Sequence, residues 1–285
     1  MISKEQFQKE ISLIIENAIR EDVGDGDHSS LACIPWNAKG KAKLLVKDEC
    51  ILAGVEFARQ TFNYVDQDLR MDIVFNDGQR VNFGDVAFYV EGRSQSILKA
   101  ERLVLNAMQR MSAIATKTNN FVSLLEGTDT KVLDTRKTTP GLRALEKWAV
   151  TIGGGENHRF ALYDMIMLKD NHIDFAGGIT RAIQKTKLYL KESNRNLKII
   201  VEARNLKEVQ EILESQGVYR ILLDNFNYED TRKAVKLIGD RCFTESSGGI
   251  NENTIRNYAE CGVNYISSGA ITHSVYNKDL SLKAI

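Results

Sequence analysis

The chain has 285 residues, with 38 Lys plus Arg against 38 Asp plus Glu and a formal net charge of zero. That length allows one large domain or two ordinary ones, with a core that needs no disulfide or structural metal. Neutrality excludes extended nucleic-acid or membrane-surface binding as the main activity, so any anion site must be local.

Four cysteines (Cys33, Cys50, Cys242, Cys261) lie far apart without a C-x-x-C pair. This argues against zinc and suits a reducing compartment. The opening Met-Ile-Ser-Lys-Glu-Gln lacks the apolar core of a signal peptide, and no apolar run approaches a membrane span. A cytoplasmic protein with no membrane or nucleic-acid partner is expected.

Ser3 and Gln6 form a capping-box pattern, followed by Phe7, Ile11, Ile14, Ile15, Ala18 and Ile19 at helical spacing. These predict a first helix of roughly five turns. From about Gly40 to Gly92, alternation in residues 39–47 and turns at Asn76-Asp77-Gly78 and Phe83-Gly84-Asp85 predict antiparallel strands. Ile97, Ala100, Val104, Ala107, Met108, Met111 and Ile114 then mark one face of a long helix. Residues 1–115 thus read as an α+β layer.

The second half changes pattern. Short apolar runs recur at Val132-Leu133, residues 165–168, 199–201 and 221–223, Phe243 and Tyr265-Ile266. The later ones are about 22 residues apart, with amphipathic stretches such as 206–216 and 228–238 between them, as in βα units. Nearly every run ends in a polar residue: Asp134/Arg136, Lys169, Glu202, Asp224, Glu245/Ser247, Ser267/Ser268. Strand C-termini form the active-site rim of α/β barrels. The expected fold class is α/β: an incomplete, TIM-like barrel over 116–270, preceded by the α+β domain. Residues 271–285 form a tail that packs back on the N-terminal domain.

Residues 134–172 concentrate Arg136, Lys137, Arg143, Lys147, His158, Arg159, Lys169 and His172 among glycines and threonines. Arg grips carboxylates and phosphates with a bidentate fork and Lys as a point charge, so the segment reads as a wall of a small-polyanion pocket. By count it is near neutral, because Asp134, Glu146, Glu156, Asp164 and Asp170 offset most of the charge. What distinguishes Arg136 and Lys169 is their place at strand ends.

Seven segments occur in order: residues 134–143 (Asp-Thr-Arg-Lys-Thr-Thr-Pro-Gly-Leu-Arg), 153–159 (Gly-Gly-Gly-Glu-Asn-His-Arg), 167–172, 200–203, 223–225, 245–250 and 268–274. Together they resemble the quinolinate phosphoribosyltransferase family over nearly the whole chain. The resemblance implies an N-terminal α/β sandwich joined to an incomplete barrel. It also implies conversion of quinolinate and phosphoribosyl pyrophosphate to nicotinate mononucleotide, pyrophosphate and carbon dioxide, with Mg²⁺ and no organic cofactor. Two departures, Ala113 and Ser246, change no charged group.

By position in these motifs, Arg136, His158, Arg159 and Lys169 match the quinolinate-binding residues. Arg102 matches an arginine donated across a homodimer, or a higher even oligomer. Glu202 and Asp224 match ribose and metal contacts, and carboxylates beside an anion site do call for a cation. Ser247, Gly248, Gly249, Ser268, Gly269 and His273 match the 5-phosphate cradle, and Lys137 meets the pyrophosphate. Catalytic weight falls on Lys137, Lys169, Glu202 and Asp224. Competing readings are a phosphoribosyltransferase for another heterocyclic acid, a Schiff-base lyase using Lys169, or a non-catalytic sensor of the same ligands, against which the Glu202/Asp224 pair argues. His172 is as readily structural as functional, and His28 has no assignable role.

Overall fold

A computed structural model describes residues 2–285, which fall into two compact units. The chain begins with α1 (Lys4–Val23), α2 (His28–Cys33), β1 (Lys39–Val46), β2 (Cys50–Ile51) and α3 (Val55–Val65). Then come β3 (Arg70–Ile73), β4 (Arg80–Val81), β5 (Val86–Arg93), α4 (Ser94–Ser123), β6 (Lys131–Leu133) and α5 (Arg143–Ile152). The βα stretch follows: β7 (Ile166–Leu168), α6 (Asp170–Ala176), α7 (Ile179–Glu192), β8 (Ile199–Ala203), α8 (Leu206–Ser215), β9 (Arg220–Asp224) and α9 (Tyr228–Ile238). The last elements are β10 (Phe243–Ser247), α10 (Ile255–Ala259), β11 (Tyr265–Ser267), α11 (Ala270–His273) and β12 (Leu280–Ala284).

One unit holds residues 2–119, 137–154 and 271–285. Its antiparallel sheet has the order β12-β1-β5-β3, so the C-terminal strand closes against the first. Alternation in β1 buries Ala42, Leu44 and Val46 while Lys39 and Lys41 stay exposed. The buried face packs with Phe62, Phe88, Val104, Met108 and Leu282 into one apolar cluster. The long-helix stripe is buried as expected, from Ile97 to Ile114. Ser3 caps α1, its hydroxyl accepting the Gln6 N–H at 3.1 Å.

The stretch read as strands alone also contains α3. Its first N–H groups, from Val55 and Glu56, donate to the Asp77 carboxylate at 2.8 and 3.2 Å. The cap comes from 22 residues downstream, and a local search for Ser, Thr, Asp or Asn at the start cannot see it. The buried Val55, Ala58 and Phe62 lie at helical spacing, in a composition that also suits a strand. Gly153, following α5, sits against α4. A Cβ there would run into the Ala115 carbonyl and the Thr118 side chain, so the close approach requires glycine.

The other unit holds residues 120–136 and 155–270. Its six strands form a parallel sheet of order β6-β11-β10-β9-β8-β7. The end strands β6 and β7 do not bond to one another; residue 156 instead bonds alongside β6, at 2.8 Å to the Val132 carbonyl. This is the incomplete barrel expected from sequence. β8 is buried throughout, as parallel strands covered on both faces are. Asn205 and Asn227 cap α8 and α9 just past the strand ends, accepting the N–H groups of Glu208 and Asp230. The 22-residue rhythm is therefore one strand, one capped helix and two short turns.

Candidate active site

Parallel strands bring the C-terminal ends of the sheet to one rim. Glu202 lies in the last turn of pleat of β8, Asp224 ends β9, Ser247 ends β10, and Lys169 follows β7 directly. Glu202 is 8% exposed. Burial pushes its carboxyl above the usual range, and the neighbouring Asp224 charge adds to this. Lys169 opposes the shift, its Nζ lying 4.0 Å from Glu202 Oε2. Two carboxylates that disfavour each other need a cation beyond the half-exposed lysine.

Across the same rim the sign reverses. Arg159 is 6% exposed. Burial and the nearby Arg136 charge both pull its pKa down, while Asp164 partly compensates. A guanidinium held beside another one, away from water, gains most from an anion placed between them. The Arg159 Nη1 also donates to the Met165 carbonyl at 3.4 Å. Asp164 accepts the Phe160 and Ala161 N–H groups at 2.8 Å each, fixing the turn after the arginine.

The Ser247-Gly248-Gly249 turn has both glycines at positive φ, 102° and 62°. Gly248 has no room for a Cβ, which would strike the Asn225 amide oxygen. Asn225 is itself left-handed at φ 54° and donates its N–H to the Ser247 carbonyl at 2.9 Å. Two adjoining loops thus interlock, in the manner of backbone cradles for phosphate oxygens. Ser268 is placed differently from Ser247. Its hydroxyl donates to the Ile250 carbonyl at 3.0 Å and its N–H to Leu133 at 3.1 Å, so it braces the cradle. Gly269 adjoins it at the end of β11.

Arg102, Lys137 and His273 belong to the other unit, and all three are exposed. Arg102 lies on α4 with the exposed Asn106. Of the same polar stripe, Gln109 donates to the Leu280 carbonyl, and Arg110 pairs with the buried Glu146 at 2.9 Å. The Lys137 carbonyl accepts the Thr272 hydroxyl at 2.8 Å. His273 Nδ1 lies 2.6 Å from the Ser274 hydroxyl. His172 Nδ1 accepts the Lys169 backbone N–H at 3.1 Å, a helix-capping role at the start of α6. His28 Nε2 lies 3.4 Å from an exposed Asp25.

Two charged residues behind the rim escaped sequence reasoning as a pair. Glu245, fully buried in β10, receives Arg220 Nη1 at 2.7 Å and faces His158 Nε2 at 3.3 Å. The signal available was a charged residue at the head of an Ile-Leu-Leu run and another in mid-strand, where barrel interiors are normally branched and apolar.

For a divalent ion the rim offers Glu202 and Asp224. Among the described residues no group of three or more His, Cys, Asp or Glu could hold a metal alone. That fits Mg²⁺, which binds through one or two carboxylates plus substrate phosphates. Lys169, half exposed, lacks the apolar enclosure that activates a Schiff-base lysine.

Residues 27–112 match the family model of the quinolinate phosphoribosyl transferase N-terminal domain, and residues 114–283 that of its C-terminal domain. The chain is 42% identical over 285 residues to quinolinate phosphoribosyltransferase [decarboxylating] 1b of Nicotiana tabacum, covering 95% of this chain and 81% of the relative. It is 37% identical to a probable nicotinate-nucleotide pyrophosphorylase [carboxylating] of Bacillus subtilis, covering 96% and 93%. Among solved structures, NadC from Streptococcus pyogenes superimposes with a TM-score of 0.90 at 36% identity, covering 100% of this chain and 99% of that one.

Proposed function

The chain belongs to the quinolinate phosphoribosyltransferase family, and from that premise we propose how its residues carry out the reaction. It is a carboxylating nicotinate-nucleotide pyrophosphorylase of NAD biosynthesis. The phosphoribosyl group passes from phosphoribosyl pyrophosphate to quinolinate, giving nicotinate mononucleotide, pyrophosphate and carbon dioxide. The observation that carries the residue assignment is the pairing of opposite surpluses on one rim: Arg136 with Arg159, and Glu202 with Asp224.

Arg136, Arg159 and Lys169 hold the two carboxylates of quinolinate and aim its ring nitrogen at the anomeric carbon. The nitrogen forms the new C–N bond as the C–O bond to pyrophosphate breaks, and the leaving electron pair stays on pyrophosphate. Glu202 and Asp224 orient the ribose hydroxyls and face the positive charge that grows on the sugar. Ser247, Gly248, Gly249 and Gly269 receive the 5-phosphate, with Ser268 bracing them and His273 joining by its motif position. Lys137 takes the pyrophosphate. Glu202 and Asp224 would hold Mg²⁺ together with the substrate phosphates, and the ion would supply neutralisation of leaving-group charge. The pyridinium so formed stabilises the electron pair left when the adjacent C–CO₂ bond breaks, and a proton from water takes the vacated place on that ring carbon, so carbon dioxide leaves and nicotinate mononucleotide results without an organic cofactor. Positioning and fixed charge supply the rate, not a covalent nucleophile.

The active unit in this reading is a homodimer, or a higher even oligomer, with Arg102 reaching the partner's site. A cytoplasmic setting agrees with four free cysteines, and no helix among the described residues is long and apolar enough to cross a membrane. The test is incubation with quinolinate, phosphoribosyl pyrophosphate and Mg²⁺, following all three products. Equimolar pyrophosphate, carbon dioxide and nicotinate mononucleotide are expected. Turnover with a different heterocyclic acid, and none with quinolinate, would overturn the substrate assignment.

A further inference from the structure

Asp224 is followed by a residue whose side chain touches two parts of the rim at once. Asn225 Nδ2 donates to Asp224 Oδ2 at 2.9 Å. Its amide oxygen lies against Gly248, in the space that a Cβ there would fill. The two ends of the amide are told apart by chemistry, because turned over it would set its oxygen against a carboxylate. The Asn225 backbone N–H donates to the Ser247 carbonyl at 2.9 Å, one rung beyond the pairing of Ser247 with Asp224.

A left-handed turn by itself is enough to explain an asparagine. Asn225 stands at φ 54°, and asparagine tolerates that backbone better than most residues with a side chain. Glycine would serve the turn as well and would keep the rung to Ser247. It would lose both amide contacts. Those contacts add little to folding, because the residue is exposed and its bond to Asp224 joins chain neighbours in water. Their consequence is for the rim. A hydrogen bond to a carboxylate is short and directional, so Nδ2 fixes the rotation of the Asp224 side chain and leaves Oδ1 for a ligand. The amide oxygen meanwhile limits how closely the Gly248 turn approaches β9.

We infer that Asn225 is a positioning residue: it holds the Asp224 carboxylate and the Ser247-Gly248-Gly249 turn in one fixed relation, and so sets the spacing between ribose and 5-phosphate. This rests on the sugar-phosphate assignments above. The reach from the ring hydroxyls of a ribose to its own 5-phosphate is short and nearly constant. A side chain bonded to the group at one end and wedged against the backbone at the other matches that reach before the ligand arrives. Less ordering is then left to be done on binding.

Ribose 5-phosphate is the probe, because it carries both ends and lacks the pyrophosphate. Its binding to the full chain is measured by calorimetry in metal-free buffer, beside the binding of quinolinate. Asn225→Gly keeps the turn and removes the amide. Its Kd for ribose 5-phosphate should rise about tenfold, with less than about a twofold change for quinolinate. Its melting temperature should stay within about 2 °C of wild type. Asn225→Asp keeps the shape but sets a second carboxylate beside Asp224, and should weaken ribose 5-phosphate at least as much. It decides the matter alone if Asn225→Gly is unstable. A ribose 5-phosphate affinity within about twofold of wild type in a folded variant overturns the inference and leaves Asn225 a turn residue. An equal loss for both ligands overturns it as well, since that marks a general disturbance of the rim. A wild-type chain that binds no ribose 5-phosphate contradicts the sugar-phosphate assignment itself and takes the inference with it. The two failures are therefore read from different proteins.

Discussion

Glu202 shows how the site is set against the stability of the free protein. Its carboxyl is pushed up by burial and by Asp224, so the native state binds its proton more tightly than the unfolded chain does. The sign follows: stability is lost as pH rises above the ordinary glutamate range, and at neutral pH the charge is a cost. Glu202→Gln should therefore raise the melting temperature by a few degrees in the absence of ligands while abolishing turnover. Differential scanning calorimetry beside a pyrophosphate assay checks both halves, and a lower melting temperature would contradict them. Arg136→Ala and Lys169→Ala act oppositely. Both residues are exposed, so the fold should keep its melting temperature, while kcat/KM should fall by at least about a hundredfold. A near wild-type rate in either variant would remove it from the site. Arg136 and Lys169 were legible because each sits in a motif at a strand end. The pairing of Arg220 with Glu245 was not, because the partners lie 25 residues apart and a charge within a strand does not by itself name its partner.

At the scale of elements, the βα half was readable because each unit is local. An apolar run, a polar strand end, an asparagine cap and an amphipathic helix follow in order, and α8 and α9 fall within a residue of their expected bounds. The N-terminal half was less so. β1 and α4 announced themselves by alternation and by a helical stripe, whereas α3 depends on Asp77 for its cap. Gly153 has a reason that only packing reveals. With the Ala115 carbonyl in the path of any Cβ at Gly153, Gly153→Ala must push α5 from α4, at a cost of about 1–3 kcal/mol. Urea unfolding measures this directly. An unchanged midpoint would mean that the two helices separate without strain.

At the scale of the molecule, a trans contribution from Arg102 makes a distinctive prediction. Arg102→Ala and Lys169→Ala should each be inactive as pure proteins. Mixed after dissociation and reassociation, they should recover up to about a quarter of wild-type activity, since half the dimers are mixed and each carries one intact site. No recovery on mixing would place both residues in the same subunit's site. By itself the sequence determined the family, the parallel βα repeat and the rim residues, because these are written in contiguous motifs with their own periodicity. Tertiary structure alone decided that β12 closes on β1 and that Asp77 caps α3. It alone decided that Ser268 braces the cradle and that Glu245 faces both Arg220 and His158. Each of these joins groups far apart in sequence, and such a pairing gains its energy only once both partners have left water for a shared interior.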